Sequence, residues 1–377
     1  MIIDRQAKQI LKNKTKPGKV VIILGARRVG KTILLKEFLK EEKGKYIFWN
    51  GEDFAVHEIL KRRSIKNYQN LIGDARLIVI DEAQMIPEAG KVLKLLIDSF
   101  DDLRIIVTGS SAFDLTNLTG EPLTGRMHEI NLFPLSEAEY AAIELPEERK
   151  DNLRDRLVFG NMPELINYQN PDEKAGYLRE LINSYLLKDI LVFENIRNSS
   201  KLFELLKLIA FQIGNEVSFQ ELGKQLSVSK NTAERYLDLL SKVFVIYRLS
   251  GFSRNLRKEI VKNSKWYFYD NGIRNAVIAN FSRIEMRNDI GILWENYMIS
   301  ERIKHQKYSG IISNNYFWRT YDQQEIDFVE EREGKLFAYE FKWKEDKIKI
   351  PAAWKNAYPD SQFKAVTQDN YSDWLKE

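Results

Sequence analysis

The residues with the clearest capacity for chemistry are Gly25-Ala26-Arg27-Arg28-Val29-Gly30-Lys31-Thr32, which fit the spacing Gly-x-x-x-x-Gly-Lys-[Ser/Thr]. A glycine at each end lets the backbone bend until successive N–H groups converge on phosphate oxygens. Lys31 has the reach for the β- and γ-phosphates of a nucleotide, and the Thr32 hydroxyl is placed to coordinate Mg²⁺. Arg27 and Arg28 either touch phosphate or pair with acids of another domain. A second pair, Asp81-Glu82, closes the apolar run Arg76-Leu77-Ile78-Val79-Ile80. There Asp81 is expected in the Mg²⁺ shell and Glu82 to orient and polarise an attacking water. The alternative is a strand end with two solvated acids. A third set lies far along the chain: Asp327 between Ile326 and Phe328, then Glu340 and Lys342. On a strand Glu340 and Lys342 share one face, while Tyr339, Phe341 and Trp343 take the other. An acid inside an apolar run costs free energy unless a metal or a partner satisfies it.

These side chains need elements to hold them. Lys19 to Leu24 is a β-branched run that reads as a buried strand, and Ile33 to Leu39 carries apolar residues at helical spacing. Strand, glycine loop and helix thus come in the order that phosphate binding requires, the helix offering its positive N-terminal end. Further strands are expected at Lys45–Trp49, Arg76–Ile80, Arg104–Thr108 and His128–Phe133, with helical segments between most of them. That alternation predicts an α/β fold with a parallel, doubly wound sheet. Met1 to Leu11 reads as a short helix before a Lys-rich turn at Asn13–Lys19. Arg126 precedes the last of these strands. It is a candidate to stabilise charge on the transferring phosphoryl group, in cis or from a neighbouring subunit, or else an exposed loop arginine.

Together GARRVGKT, LIVIDEAQMIP, IIVTGSS and LTGRMHEINLFPLSEAEY resemble the AAA-type P-loop ATPases of archaea and bacteria that carry a DNA-binding, nuclease-like C-terminal region. The resemblance implies ATP rather than GTP as the nucleotide, with hydrolysis assisted by Mg²⁺. It also implies that Thr108 or Ser110, at the polar end of the fourth strand, senses the γ-phosphate; a turn of small polar residues is the plainer reading.

By this reading the ATPase core covers 1–135 and a helical lid 136–198. Ser136-x-x-Glu139 reads as a capping box, with breaks near Pro146, Gly160–Pro163 and Asn170-Pro171. Lys188-Asp189 reads as a surface ion pair. Residues 199–252 show three helices and a strand, the order of a winged helix-turn-helix, with Ser218 and Ser229 opening the second and third helices. Lys224, Lys230, Arg235, Lys242, Arg248, Arg254, Arg257 and Lys258 outnumber the nearby acids, which suits DNA phosphates. A protein-interaction module is the competing reading.

Residues 253–377 form the last expected domain. Asp270 is read as a helix cap rather than a ligand. Asp327 and Glu340-x-Lys342 on adjacent strands, after a helix bearing Glu295, resemble the PD-(D/E)XK nuclease core, a restriction-endonuclease-like α/β fold. No proline precedes Asp327, a departure from the pattern. By the resemblance Asp327 and Glu340 hold Mg²⁺ or Mn²⁺ with help from Glu295, and Lys342 orients or activates the attacking water. An inactive fold that binds DNA or protein, with the trio as an internal salt-bridge set, is the alternative.

Composition narrows the classes. With 58 basic and 54 acidic residues among 377, the net charge of +4 is too balanced to imply nucleic acid, so any basic surface must be local. There is no cysteine, which excludes disulfides, thiolate zinc sites and a cysteine nucleophile. Three histidines leave carboxylates as the expected metal ligands. The charged N-terminus does not read as a secretory signal, and no apolar run is long enough to span a bilayer, so a cytoplasmic protein is expected. Its expected partners are ATP, DNA and either further copies of itself or another protein.

Overall fold

The computed structural model describes residues 3–109, 123, 125–183, 199–253, 264–344 and 348–377. It contains two compact units. One holds the chain to Leu135 together with Lys242–Phe244; the other holds Ser136–Ser241 and Val245–Glu377.

The first unit is built on five parallel strands: β1 Val20–Leu24, β2 Tyr46–Asn50, β3 Leu77–Asp81, β4 Arg104–Gly109 and β5 Met127–Asn131. Their order in the sheet is β2-β3-β4-β1-β5. β1 and β3 are buried at every position, as unbroken apolar runs in a sheet covered on both faces should be. β2 lies at an edge, and its residues alternate between exposed and half-buried. All five strands stand where the sequence places them, their ends within two residues. Helices α1 Gln6–Lys14, α2 Lys31–Lys40, α3 Phe54–Lys61, α4 Ile65–Ile72 and α5 Ala89–Ser99 complete the unit. α1 begins and ends later than expected. Its end is set by Thr15, whose hydroxyl donates to the Leu11 carbonyl at 2.7 Å. Because the strands are parallel, the ends of β1, β3 and β4 share one edge, which is where open α/β sheets bind ligands.

The second unit opens with α6 Glu137–Ala141, α7 Arg149–Phe159 and α8 Pro171–Leu181. The expected capping box is formed: the Glu139 N–H donates to Ser136 Oγ, and the Ser136 N–H to the Glu139 carboxylate. Gly160, at φ 75°, ends α7, and Asn170 caps α8. Lys188-Asp189 lies outside the described residues. Next come α9 Ser199–Phe211, β6 Glu216–Val217, α10 Phe219–Leu226, α11 Lys230–Lys242, β7 Ile246–Gly251 and β8 Ser264–Phe268. The chain then runs through α12 Asn271–Val277, α13 Ile290–Ser309, β9 Asn314–Arg319, β10 Glu325–Arg332, β11 Lys335–Phe341, α14 Ala352–Ala357, β12 Gln362–Val366 and α15 Tyr371–Trp374.

One seven-stranded sheet, ordered β12-β11-β10-β9-β7-β8-β6, runs through this unit. β7 and β8, on either side of the expected boundary at 252/253, pair antiparallel. β7 also pairs with β9, and the Phe252 N–H donates to the Phe317 carbonyl at 2.6 Å. Pairing partners decide where a strand belongs, and strand periodicity carries no record of them. α13 is buried on most of its faces, including Trp294, Asn296, Met298 and Arg302.

Candidate functional site

The phosphate-loop residues gather at the carboxyl edge of the first sheet. A Cβ on Gly25 would lie 2.2 Å from the Leu132 carbonyl oxygen, so only glycine fits against the end of β5. Arg28 and Gly30 take positive φ, 63° and 96°, which turns the loop into α2. Arg27 and Arg28 are exposed, whereas Ala26 and Val29 are buried. The Lys31 ammonium folds back over the loop and donates to the carbonyls of Gly25 at 2.9 Å and Ala26 at 3.2 Å.

Thr32 Oγ1 donates to Asp81 Oδ2 at 2.7 Å, joining the two sequence motifs. Thr108 Oγ1 donates to the other oxygen, Oδ1, at 2.5 Å and accepts from the Glu82 N–H at 2.9 Å. Thr108 is fully buried, so it holds Asp81 and the backbone of Glu82 in place. Ser110 lies outside the described residues. Glu82 takes a left-handed conformation, φ 49° and ψ 47°, and its carboxylate accepts from Gln84 Nε2 at 2.6 Å. Thr32 and Asp81 offer oxygen ligands side by side, a donor set that fits Mg²⁺.

The sequence reading missed Arg5. This buried guanidinium donates to the Val29 carbonyl at 2.7 Å and to the Phe133 carbonyl at 2.6 Å. It ties the loop, between its two left-handed residues, to the segment after β5. No motif marks it; only a lone arginine before an amphipathic helix could have drawn notice.

Arg126 is placed differently from the cis expectation. It precedes β5, its carbonyl accepts from the Val20 N–H at 2.9 Å, and its side chain pairs with Asp98. It therefore sits at the amino edge of the sheet, a strand's length of roughly 16 Å from the phosphate loop. Strand direction separates the two, and a sequence does not display it.

In the second unit Asp327, Glu340 and Lys342 come together at β10 and β11. The register on β10 slips between Ile326 and Val329, next to Asp327. Such a bulge re-aims the side chains around it. Asp327 Oδ2 accepts from the Phe341 N–H at 2.8 Å. Lys342 Nζ lies 2.8 Å from Glu340 Oε1, as their shared face predicts, while Tyr339 and Phe341 pack against Trp374. Glu340 Oε2 is buried and, among the described residues, has no hydrogen-bond partner. Burial, and next the charge of Glu295, push the Asp327 carboxyl up to about 7; burial likewise raises Glu340.

Glu295 is engaged elsewhere. Its Oε1 accepts from the Tyr267 hydroxyl at 2.6 Å and lies 3.9 Å from Lys265 Nζ. Among the described residues no three His, Asp or Glu side chains converge as metal ligands, so Glu295, Asp327 and Glu340 do not form the expected set. The buried, unpartnered oxygen of Glu340 beside Asp327 does fit one hard cation. Asp270 is a cap, as expected, accepting from the Ile273 N–H at 3.0 Å and from the Asn161 N–H at 2.6 Å.

The basic residues near α10 and α11 are partly gathered. Lys224, Lys230, Arg235 and Arg248 are exposed, but so are Glu221, Glu234 and Asp238. Arg248 Nε is spent on Ser264 Oγ at 2.6 Å. Ser229 Oγ accepts from the Thr232 N–H at 3.1 Å and opens α11 as expected. Arg254, Arg257 and Lys258 lie outside the described residues. Among the described residues no helix is long and apolar enough to cross a membrane.

Comparison with known proteins agrees with the first site. Residues 17–141 match the family model of an AAA domain; 150–284 and 290–370 match models of two domains of unknown function. An uncharacterized protein of Mycobacterium tuberculosis is 26% identical over 349 residues, covering 91% of this chain and 74% of that protein. One from Methanocaldococcus jannaschii is 27% identical over 358 residues, covering 87% and 76%. Among solved structures, a Walker-type ATPase of Pyrococcus abyssi is 19% identical, with a TM-score of 0.47, over 74% of this chain and 96% of that one. Motif and strand order agree with the match of residues 17–141 to the AAA-domain model, and together they support a P-loop ATPase fold for the first unit.

Proposed function

We propose that this chain binds ATP with Mg²⁺ and hydrolyses it in the first unit, and that hydrolysis serves a second unit that engages DNA. The hydrogen bond from Thr32 to Asp81, with Lys31 beside it at the carboxyl edge, carries the ATPase reading. Lys31 would exchange the carbonyls of Gly25 and Ala26 for phosphate oxygens. Thr32 and Asp81 would hold the metal, which when bound neutralises charge between the phosphates. Glu82, freed from Gln84, would orient the water, while Thr108 keeps its backbone in place. Loss of ATP turnover in Lys31→Ala and Glu82→Gln is the required result; normal turnover in either sinks the assignment.

For the second unit, α9, α10, α11 and the β7–β8 hairpin follow the order of a winged helix, with α11 as the candidate reader. The succession α13-β9-β10-β11-α14-β12, with Asp327 on β10 and Glu340 on β11, supports the PD-(D/E)XK resemblance. One divalent ion on Asp327 and Glu340 would polarise a phosphodiester, and Lys342 would position the attacking water. The test is Mg²⁺- or Mn²⁺-dependent cleavage of linear, single-stranded and branched DNA, with Lys342→Ala purified in parallel.

A second reading is favoured by the Lys342–Glu340 pair, which already satisfies half of that carboxylate. In it the second unit is a binding platform switched by ATP and performs no cleavage. It predicts nucleotide-dependent partner binding that survives Glu340→Ala. An arginine acting across subunits is the form of the Arg126 expectation that its place in the sheet still permits, and it would require an oligomer.

A further inference from the structure

Two residues on β8, Lys265 and Tyr267, stand beside the carboxylate cluster without belonging to any motif. Lys265 is 1% exposed. Its ammonium pairs with Glu325, lies 3.9 Å from Glu295 Oε1, and sits 5.2 Å from the centre of the Phe317 ring. Two carboxylates, Glu295 and Glu325, thus face one buried ammonium. Tyr267 donates to the same Glu295 oxygen. On a third side a Cβ on Gly214 would lie 3.1 Å and 3.2 Å from the two Glu295 oxygens. Glu295 is thus enclosed by an ammonium, a phenol and a tight turn, while Glu340 Oε2 has no hydrogen-bond partner among the described residues.

We propose that Lys265 is a resident counter-cation that holds Glu295 out of the metal shell, so that this cluster takes one divalent ion, on Asp327 and Glu340, and has no room for a second. This rests on the reading of Asp327 and Glu340 as metal ligands. Two-metal phosphodiester sites place their ions about 4 Å apart between shared carboxylates. Here a fixed ammonium fills the second half of such a cluster, and a buried charge whose partner is removed is strongly unfavourable. Removing Lys265 therefore leaves Glu295 and Glu325 in need of another cation.

The experiment is calorimetric titration of the full chain with Mn²⁺, without nucleotide, taking the difference from the Glu295→Ala/Glu340→Ala double variant as the count of ions at this cluster. The expected parent count is one. Lys265→Met should raise it to two or tighten binding at least tenfold, and Lys265→Arg should leave it at one. Glu295→Gln should leave the dissociation constant within threefold. A Lys265→Met protein that binds like the parent overturns the proposal, as does a tenfold or greater weakening in Glu295→Gln. The second result decides the matter if circular dichroism shows Lys265→Met unfolded. If neither the parent nor Lys265→Met binds any ion that the double variant does not, the metal reading itself fails and takes this one with it. Failure of this proposal alone leaves the parent ion in place.

Discussion

Thr108 Oγ1 donates to Asp81 Oδ1 at 2.5 Å and accepts from the N–H of Glu82 at 2.9 Å. One buried hydroxyl on β4 therefore fixes the Asp81 carboxylate and the backbone of Glu82. Its single donor is spent on Asp81, which suits Thr108 to a positioning role; Ser110, the other residue expected to sense phosphate, lies outside the described residues.

Thr108→Val keeps the shape and removes both bonds. It leaves a buried carboxylate oxygen and a backbone N–H unpaired, at about 1–3 kcal/mol each. The expected result is a kcat for ATP roughly 10- to 100-fold lower at a KM within threefold of the parent, since Lys31 and the loop are untouched. A raised KM with unchanged kcat, in steady-state phosphate release, would contradict the positioning role.

Arg5 makes two bonds from one guanidinium, to the Val29 and Phe133 carbonyls. Charge-assisted bonds of this kind contribute about 1.5–3 kcal/mol each. Arg5→Met should loosen the loop and weaken binding of a fluorescent ATP analogue roughly tenfold or more. Arg5→Lys, which cannot span both carbonyls, should fall between the two. Equal affinity in all three proteins would remove Arg5 from the site.

Arg126 lies at the far edge of the sheet, its side chain about half exposed and paired with Asp98. Exposed pairs contribute little, about 0–1 kcal/mol. For a dilute, monomeric sample, Arg126→Ala should leave ATP turnover within twofold of the parent. A loss that grows with protein concentration would mark a role across subunits; a loss independent of concentration would mean that Arg126 reaches the site of its own chain.

Much of this was legible in the residues. The core strands are unbroken apolar runs, and a parallel sheet buried on both faces requires just that. The phosphate loop announces itself because its chemistry fixes the spacing of Gly25, Gly30, Lys31 and Thr32. Caps at Ser136, Ser229 and Asp270 are local, so local sequence shows them. What stayed hidden is non-local. The β7–β9 pairing that runs one sheet through the second unit, the bulge beside Asp327 and the opposite edges of Lys31 and Arg126 all depend on strands far apart in the chain. Lys265 and Arg5 were missed for a related reason: each is a lone basic residue whose meaning comes only from the groups it meets.

The Asp327 carboxyl offers a test that needs no substrate. Burial and then the charge of Glu295 raise it to about 7, against the opposing influence of Lys265, the Phe341 N–H and Lys342. In the unfolded chain an aspartate titrates near ~3.9. Between about pH 4 and 7 the folded protein therefore keeps a proton on Asp327 that the unfolded chain has released. Stability must fall as pH rises through that window, because the native state is the one holding more protons. Burial raises Glu340 and Glu295 in the same direction, so they add to the slope. The expected observation is a Tm that drops from pH 4.5 to pH 7 in the parent and drops less in Asp327→Asn. Mn²⁺ at pH 7 should restore part of the lost Tm in the parent and little in the variant, since the ion takes the place of the proton. Identical pH slopes in the two proteins would show that Asp327 is ionised throughout, and that the cluster is satisfied by its lysines alone.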